Sequence, residues 1–159
     1  MIKIGDPIPD VALGSFKNDE IVVHSLHDLL KGQKNMIVGL PGVFTPICTG
    51  DHLPRLIENS SILFSQGFKN IFCICDDNPW AIDVWKRTII GHEKLVFLSD
   101  GNREFLDKVG LPAHEDDLFL AGKYARFTMM VDDNIVQNLN IEDNVLDMTC
   151  TSGEEYCVA

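Results

Sequence analysis

Three short apolar runs, each followed by a helix-forming stretch, constrain this chain more than any other feature. Residues 35–40 (NMIVGL), 70–75 (NIFCIC) and 95–98 (LVFL) read as strands buried in the middle of a sheet. Between the first two, Leu53, Leu56, Ile57 and Phe64 recur near helical spacing, so residues 48–66 are predicted as an amphipathic helix that Gly67 ends. Asn78-Pro79 opens a second helix with Ile82, Trp85 and Ile89 on one face. Residues 103–109 form a short helix stopped by Gly110. Residues 127–131 and 135–139 flank Asp132-Asp133-Asn134 and read as a hairpin.

Strands alternating with helices and closed by a hairpin imply an α/β fold, a mixed central sheet with helices on both faces. A thioredoxin-like layout is the natural candidate, although other α/β sandwiches share the pattern. The length of 159 residues suits one domain over residues 1–159, and no repeat or linker divides it. With 13 basic and 24 acidic residues the net charge is -11, which argues against nucleic acid or an anionic membrane surface as partner. No apolar run reaches the ~18 residues of a membrane span. The opening MIKIGDPIPDVALG lacks the basic segment and apolar run of a secretory signal. Five cysteines (Cys48, Cys73, Cys75, Cys150, Cys157) are odd in number and unevenly spaced. That argues against a secreted disulfide framework and for a reducing, cytoplasmic setting, or an organelle if a presequence has been removed.

The chemistry concentrates in PGVFTPICTGDHLPRL, which begins at Pro41. A buried strand ends at Leu40, Pro-Gly turns the chain, and Pro46 is preset for the first turn of a helix. Cys48 then falls in that first turn, where unpaired N–H groups and the positive end of the helix dipole favour a thiolate. Thr45 can place a hydroxyl beside the sulfur. The bland alternative is a buried thiol with Thr45 as a helix cap. No C-x-x-C is present, so the usual disulfide-exchange motif is missing.

This segment resembles the peroxiredoxin signature P-G-A/V-F-T-P-x-C, in the form found in the type-5 subfamily (type II in plants). IGDPIPDVAL, NIFCICDDNPWAIDVW and ARFTMMVDDNIVQNLNIE are similar to the family opening, its second strand and helix, and its late hairpin. The resemblance spans nearly the whole chain. It implies a thiol peroxidase in which Pro41 shields the thiolate, Thr45 hydrogen-bonds it and the peroxide, Cys48 attacks, and Arg126 stabilises the thiolate and polarises the peroxide. A guanidinium suits that role because it is always charged and carries several fixed donors. The implied products are a cysteine sulfenic acid and water or an alcohol, with no metal or organic cofactor. Hydrogen peroxide and alkyl hydroperoxides are the expected substrates, with thioredoxin, glutaredoxin or glutathione as reductant. A monomer and a homodimer are both compatible with the resemblance.

A sulfenic acid condenses with a second thiol. Cys150 falls where animal type-5 members carry their resolving cysteine, and Cys73 where plant type II enzymes carry their second one. Cys73 also reads as a small core residue on a buried strand, with Cys75 on the same sheet face. The tail TSGEEYCVA departs from the family, and Cys157 on a flexible tail could compete as resolver. Without any of these the chain would be a one-cysteine peroxidase served by an external thiol. Arg55, Lys123 and Asp76-Asp77-Asn78 also depart from the family pattern, at what should be the rim of the site.

Cys48 and His52 lie four apart, so a helix would put both on one face, as in a zinc or thiol–imidazole pair. No further ligand pair has metal spacing, and the family does not use this histidine in catalysis. His24, His27, His92 and His114 are expected to be solvated. Phe44, Phe119 and the LFLAG stretch either line an apolar approach to Cys48, form a dimer contact, or pack in the core. The rival of another class is a redox-sensing protein that signals oxidation without turnover. It would be marked by loss of Thr45 or Arg126, and both are present.

Overall fold

The computed structural model describes residues 1–157. Seven strands form one sheet: β1 (Ala12–Lys17), β2 (Glu20–Ser25), β3 (Lys34–Gly39), β4 (Ile71–Cys75), β5 (Val96–Ser99), β6 (Phe127–Asp132) and β7 (Ile135–Ile141). Their spatial order is β2-β1-β5-β4-β3-β6-β7. Strands β3, β4 and β5 are parallel, joined by the helices α2 (Leu53–Ser65) and α3 (Pro79–Lys86). Parallel neighbours need crossovers of this length. Antiparallel strands β1 and β2 extend one side, β6 and β7 the other.

Side-chain alternation along the central strands builds two cores. Ile37, Phe72, Ile74 and Leu98 pack with α1 (Leu26–Leu30) and α4 (Glu104–Val109) on one face. Met36, Val38, Cys73, Cys75 and Phe97 pack with α2 and α3 on the other, together with Cys48. The mixed sheet covered on both faces is therefore as expected. So is the shared face of Cys73 and Cys75.

Each expected element is present within a few residues of its expected ends. Asn78 caps α3 by accepting from the Ala81 N–H at 2.8 Å, with Pro79 in the first turn. The hairpin β1–β2 was not foreseen. Its turn is Asn18-Asp19, both in the left-handed region at φ 52° and 60°, which matches the right-handed twist of the strands. A short polar pair between two alternating runs was the available signal, and Asp133-Asn134 turns β6–β7 in the same way.

One contact in this frame sets the position of the site. Gly39 pairs with Phe127 across β3 and β6, and the Phe127 ring lies over the glycine. A Cβ on Gly39 would sit 2.2 Å from Phe127 Cε1, so only glycine fits. With Phe127 directed into the α1/α4 core, alternation sends the preceding Arg126 to the Cys48 side of the sheet. Among the described residues no helix is long and apolar enough to cross a membrane.

Candidate active site

The chain leaves β3 through buried Leu40 and Pro41, loops over residues 42–45, and turns helical at Pro46. Two bonds tie the loop down. The Val43 N–H donates to Asp77 Oδ2 at 3.0 Å, and the Thr45 hydroxyl donates to the Gly42 carbonyl at 2.9 Å. Phe44, at the loop apex, adopts φ 59°, a left-handed conformation that costs a non-glycine residue about 1 kcal/mol or more. The Thr49 N–H bonds to the Thr45 carbonyl, so Cys48 lies inside the first turn of the helix.

That turn is wider than an α-helical one. Cys48–His52 is a π-helical segment, in which the Leu53 N–H reaches back to the Cys48 carbonyl before α2 continues with regular geometry. Trp85 of α3 donates from its indole Nε1 to Thr49 Oγ1 at 3.1 Å and holds the turn against the core. Widening places Cys48 and His52 over one partner, Arg126. Its Nη1 donates to Cys48 Sγ at 3.3 Å and to His52 Nδ1 at 2.7 Å, and its Nε donates to the Val145 carbonyl at 2.9 Å.

All three side chains are buried, with Arg126 only 1% exposed and Cys48 and His52 at 0%. A buried guanidinium demands acceptors. A neutral imidazole supplies one without adding charge. Burial first, and then the positive charge of Arg126, push the His52 pKa down to about 3, so the ring is neutral. Its Nδ1 accepts from Arg126, which puts the proton on Nε2, and Nε2 donates to the Thr151 carbonyl at 2.7 Å. The i, i+4 spacing had indicated a shared face but not the arginine between the two side chains.

The Redoxin family profile matches residues 3–152. Peroxiredoxin-2B of Arabidopsis thaliana is 33% identical over 99% of this chain and 93% of its own length. Reduced Prx3 from Vibrio vulnificus in complex with H2O2 superposes with a TM-score of 0.90 at 25% identity, over 99% of this chain and 94% of that one. Peroxiredoxin 5 from Alvinella pompejana gives a TM-score of 0.80 at 25% identity, over 91% of this chain and 92% of that one. The chain belongs to the peroxiredoxin family. It is a thiol-dependent peroxidase with a thioredoxin-like fold.

In this peroxiredoxin all five cysteines are free thiols, in three different settings. Cys73 and Cys75 lie in the core beside Cys48, and burial raises both pKa values strongly. Cys150 is part-exposed and directs its thiol at the Ile141 carbonyl, 3.6 Å away. Burial, then the negative charge of Glu142, raise its pKa. Cys157 is not on a flexible tail. Residues Glu154–Tyr156 form a helical turn, Tyr156 is 5% exposed, and its hydroxyl accepts from Asn140 Nδ2 at 3.0 Å. The Cys157 thiol sits 3.4 Å from the Gly153 carbonyl, and its N–H donates to the Glu154 carbonyl. An aromatic residue with a bonded hydroxyl docks this tail, a signal the expectation overlooked. Residues 158 and 159 lie outside the described residues.

Other expectations need correction. His24 and His27 are half-buried and bonded, to Ser15 Oγ at 2.9 Å and to the Ile8 carbonyl at 2.5 Å, whereas His114 is exposed. Asp77 is a tether of the Cys48 loop, because its carboxylate faces the Val43 N–H. Asp76 is buried instead, with Arg103 at 3.3 Å and Lys123 at 3.6 Å. Phe44 is 56% and Phe119 92% exposed, which removes core packing as their account. Phe44 rests against Trp85 with ring centroids 6.5 Å apart.

Proposed function

We propose that this peroxidase reduces hydrogen peroxide and alkyl hydroperoxides with Cys48 as the peroxidatic cysteine, in the manner of the type-5 or type II subfamily. The observation that carries this reading is the guanidinium of Arg126 on Cys48 Sγ at 3.3 Å, inside a buried helix N-terminus. The thiolate attacks one peroxide oxygen, the O–O bond breaks, and the departing oxygen leaves as water or an alcohol after protonation. Charge moves from sulfur to the departing oxygen, and Arg126 can donate to both without reorganising. Its Nε and Nη1 donors point at Val145, His52 and Cys48, and Nη2 would take the incoming oxygen. Thr45, which donates to Gly42, keeps lone pairs that would accept the peroxide O–H and orient it. Pro41, buried beside the loop, would keep water from the sulfur.

Cys150 is the proposed resolving cysteine. It is less buried than Cys73, and it sits on a turn, where the core strand holds Cys73 rigidly. Attack on the sulfenic acid would release water and leave a Cys48–Cys150 disulfide, which an external dithiol would then reduce. The likeness to a type 2 relative and to a peroxiredoxin 5 supports this subfamily. The Vibrio relative bound to H2O2 supports the substrate class.

One equivalent of hydrogen peroxide, followed by mass spectrometry of the wild type, Cys48→Ser and Cys150→Ser, tests the cycle. A Cys48–Cys150 disulfide absent from both variants is expected. A sulfenic acid at Cys48 with no internal partner would make this a one-cysteine enzyme. An unmodified Cys48 would overturn the reading.

A further inference from the structure

The resting site holds more than Cys48 and Arg126. Glu142 directly follows β7, is 6% exposed, and lies next to the segment that carries Cys150. Its carboxylate collects four hydrogen bonds. Oε1 accepts from the Thr149 N–H at 2.8 Å, the Cys150 N–H at 2.8 Å and Thr151 Oγ1 at 2.9 Å, and Oε2 accepts from Thr149 Oγ1 at 2.7 Å. The backbone N–H of Glu142 donates to the Arg126 carbonyl at 3.0 Å. The turn it gathers presents the Thr151 carbonyl to His52 Nε2 at 2.7 Å, and His52 Nδ1 receives Arg126.

We infer that Glu142 is a positioning residue of the peroxidatic site. It clasps the Thr149-Cys150-Thr151 turn, so that the Thr151 carbonyl orients His52 and His52 orients Arg126 on Cys48. The inference rests on the reading of Cys48 as the peroxidatic cysteine. A carboxylate that accepts several N–H and O–H donors is a strong organiser of a short turn, because each bond is charge-assisted. A buried imidazole without its carbonyl partner would rotate, and Nη1 would lose the acceptor that aims it. The clasp also holds the Cys150 thiol on the Ile141 carbonyl.

The test is the bimolecular rate of Cys48 with hydrogen peroxide, followed by stopped-flow tryptophan fluorescence on the full chain. Glu142→Ala is expected to slow that step roughly tenfold, the lower end of the cost of losing a partner that orients a functional side chain. Glu142→Gln keeps an acceptor for the turn and is expected within about twofold of wild type. Thr149→Ala combined with Thr151→Val strips two donors from the clasp and guards against a misfolded Glu142→Ala. It is expected to slow the step by a smaller factor. The deciding measurement is coupling. In a His52→Leu background neither set of changes should slow the reaction further, because their effect passes through His52. Multiplicative losses in that background, or a folded Glu142→Ala that reacts at the wild-type rate, would overturn the inference. A wild-type Cys48 that does not consume peroxide would sink the functional reading itself.

Discussion

Cys48 and Cys150 belong to one hydrogen-bonded network and sit in opposite fields. Cys48 faces a guanidinium, is fully buried, and is fixed by a strand, a helix start and a tryptophan from a second helix. Cys150 faces a carboxylate, has its pKa raised first by burial and then by that charge, is part-exposed, and sits on a turn fixed by bonds to that one carboxylate. Packing holds the first region and polar bonds hold the second. A core is close-packed and opens only with the whole domain, whereas a turn held by a few hydrogen bonds opens locally. On the proposed reading, the peroxidatic thiol keeps a rigid donor array at rest and the resolving thiol a hold that can be released.

The largest effect should come from removing the positive field at Cys48. Arg126→Gln is expected to slow the reaction of Cys48 with peroxide by about 10²–10³-fold, the usual cost of removing a preorganised donor at a developing charge. Cys150→Ser should leave that first step within about twofold of wild type, since the thiol is directed at the Ile141 carbonyl while the Arg126 donors go to Val145, His52 and Cys48. Stopped-flow kinetics on both variants checks the asymmetry, and equal losses would break it.

A middle-sized effect separates packing from polar hold. Leu56 of α2 is 0% exposed under the Cys48 turn and lies against Gly153 of the docked tail. Leu56→Ala is expected to cost about 2–5 kcal/mol in global urea unfolding. Thr151→Val removes one bond to Glu142 and is expected to cost about 1 kcal/mol, with faster amide exchange confined to residues near the turn. Comparable global losses would mean that the two regions unfold as one.

The last effect is a slope. His52 has a folded pKa of about 3, below its ordinary value of 6.5, so the unfolded chain binds the extra proton between those values. Its contribution to stability is complete above about pH 6.5 and is lost as pH falls toward 3. Urea midpoints at pH 7 and pH 5 should therefore differ more in the wild type than in His52→Gln, which has no proton to gain. An unchanged difference would show that the buried imidazole is protonated or that its segment opens before it titrates.

Much of this was readable in advance, for local reasons. Apolar runs and helical spacing marked the central strands and α2 and α3, because burial on both faces or on one stripe leaves a period in the chain. Pro46 before Cys48, and Asn78-Pro79, marked helix starts through backbone restriction alone. Arg126 is different in kind. Before Phe127 it has the appearance of a surface charge at a strand start, and only the resemblance gave it a role. Its burial follows from the Gly39–Phe127 contact, which joins residues 88 positions apart.

The strand, turn and helix start that carry Cys48, the sheet type and the family were legible along the chain, because these depend on short-range preferences and on a local motif. Tertiary structure decided which groups meet. The neutral imidazole under Arg126 and the Val43 tether on Asp77 join distant segments, and the widened turn at Cys48–His52 and the clasp of Glu142 on the Cys150 turn leave no period or motif in the chain. A buried charge must find its partners wherever the fold brings them, and nothing in local propensity names them.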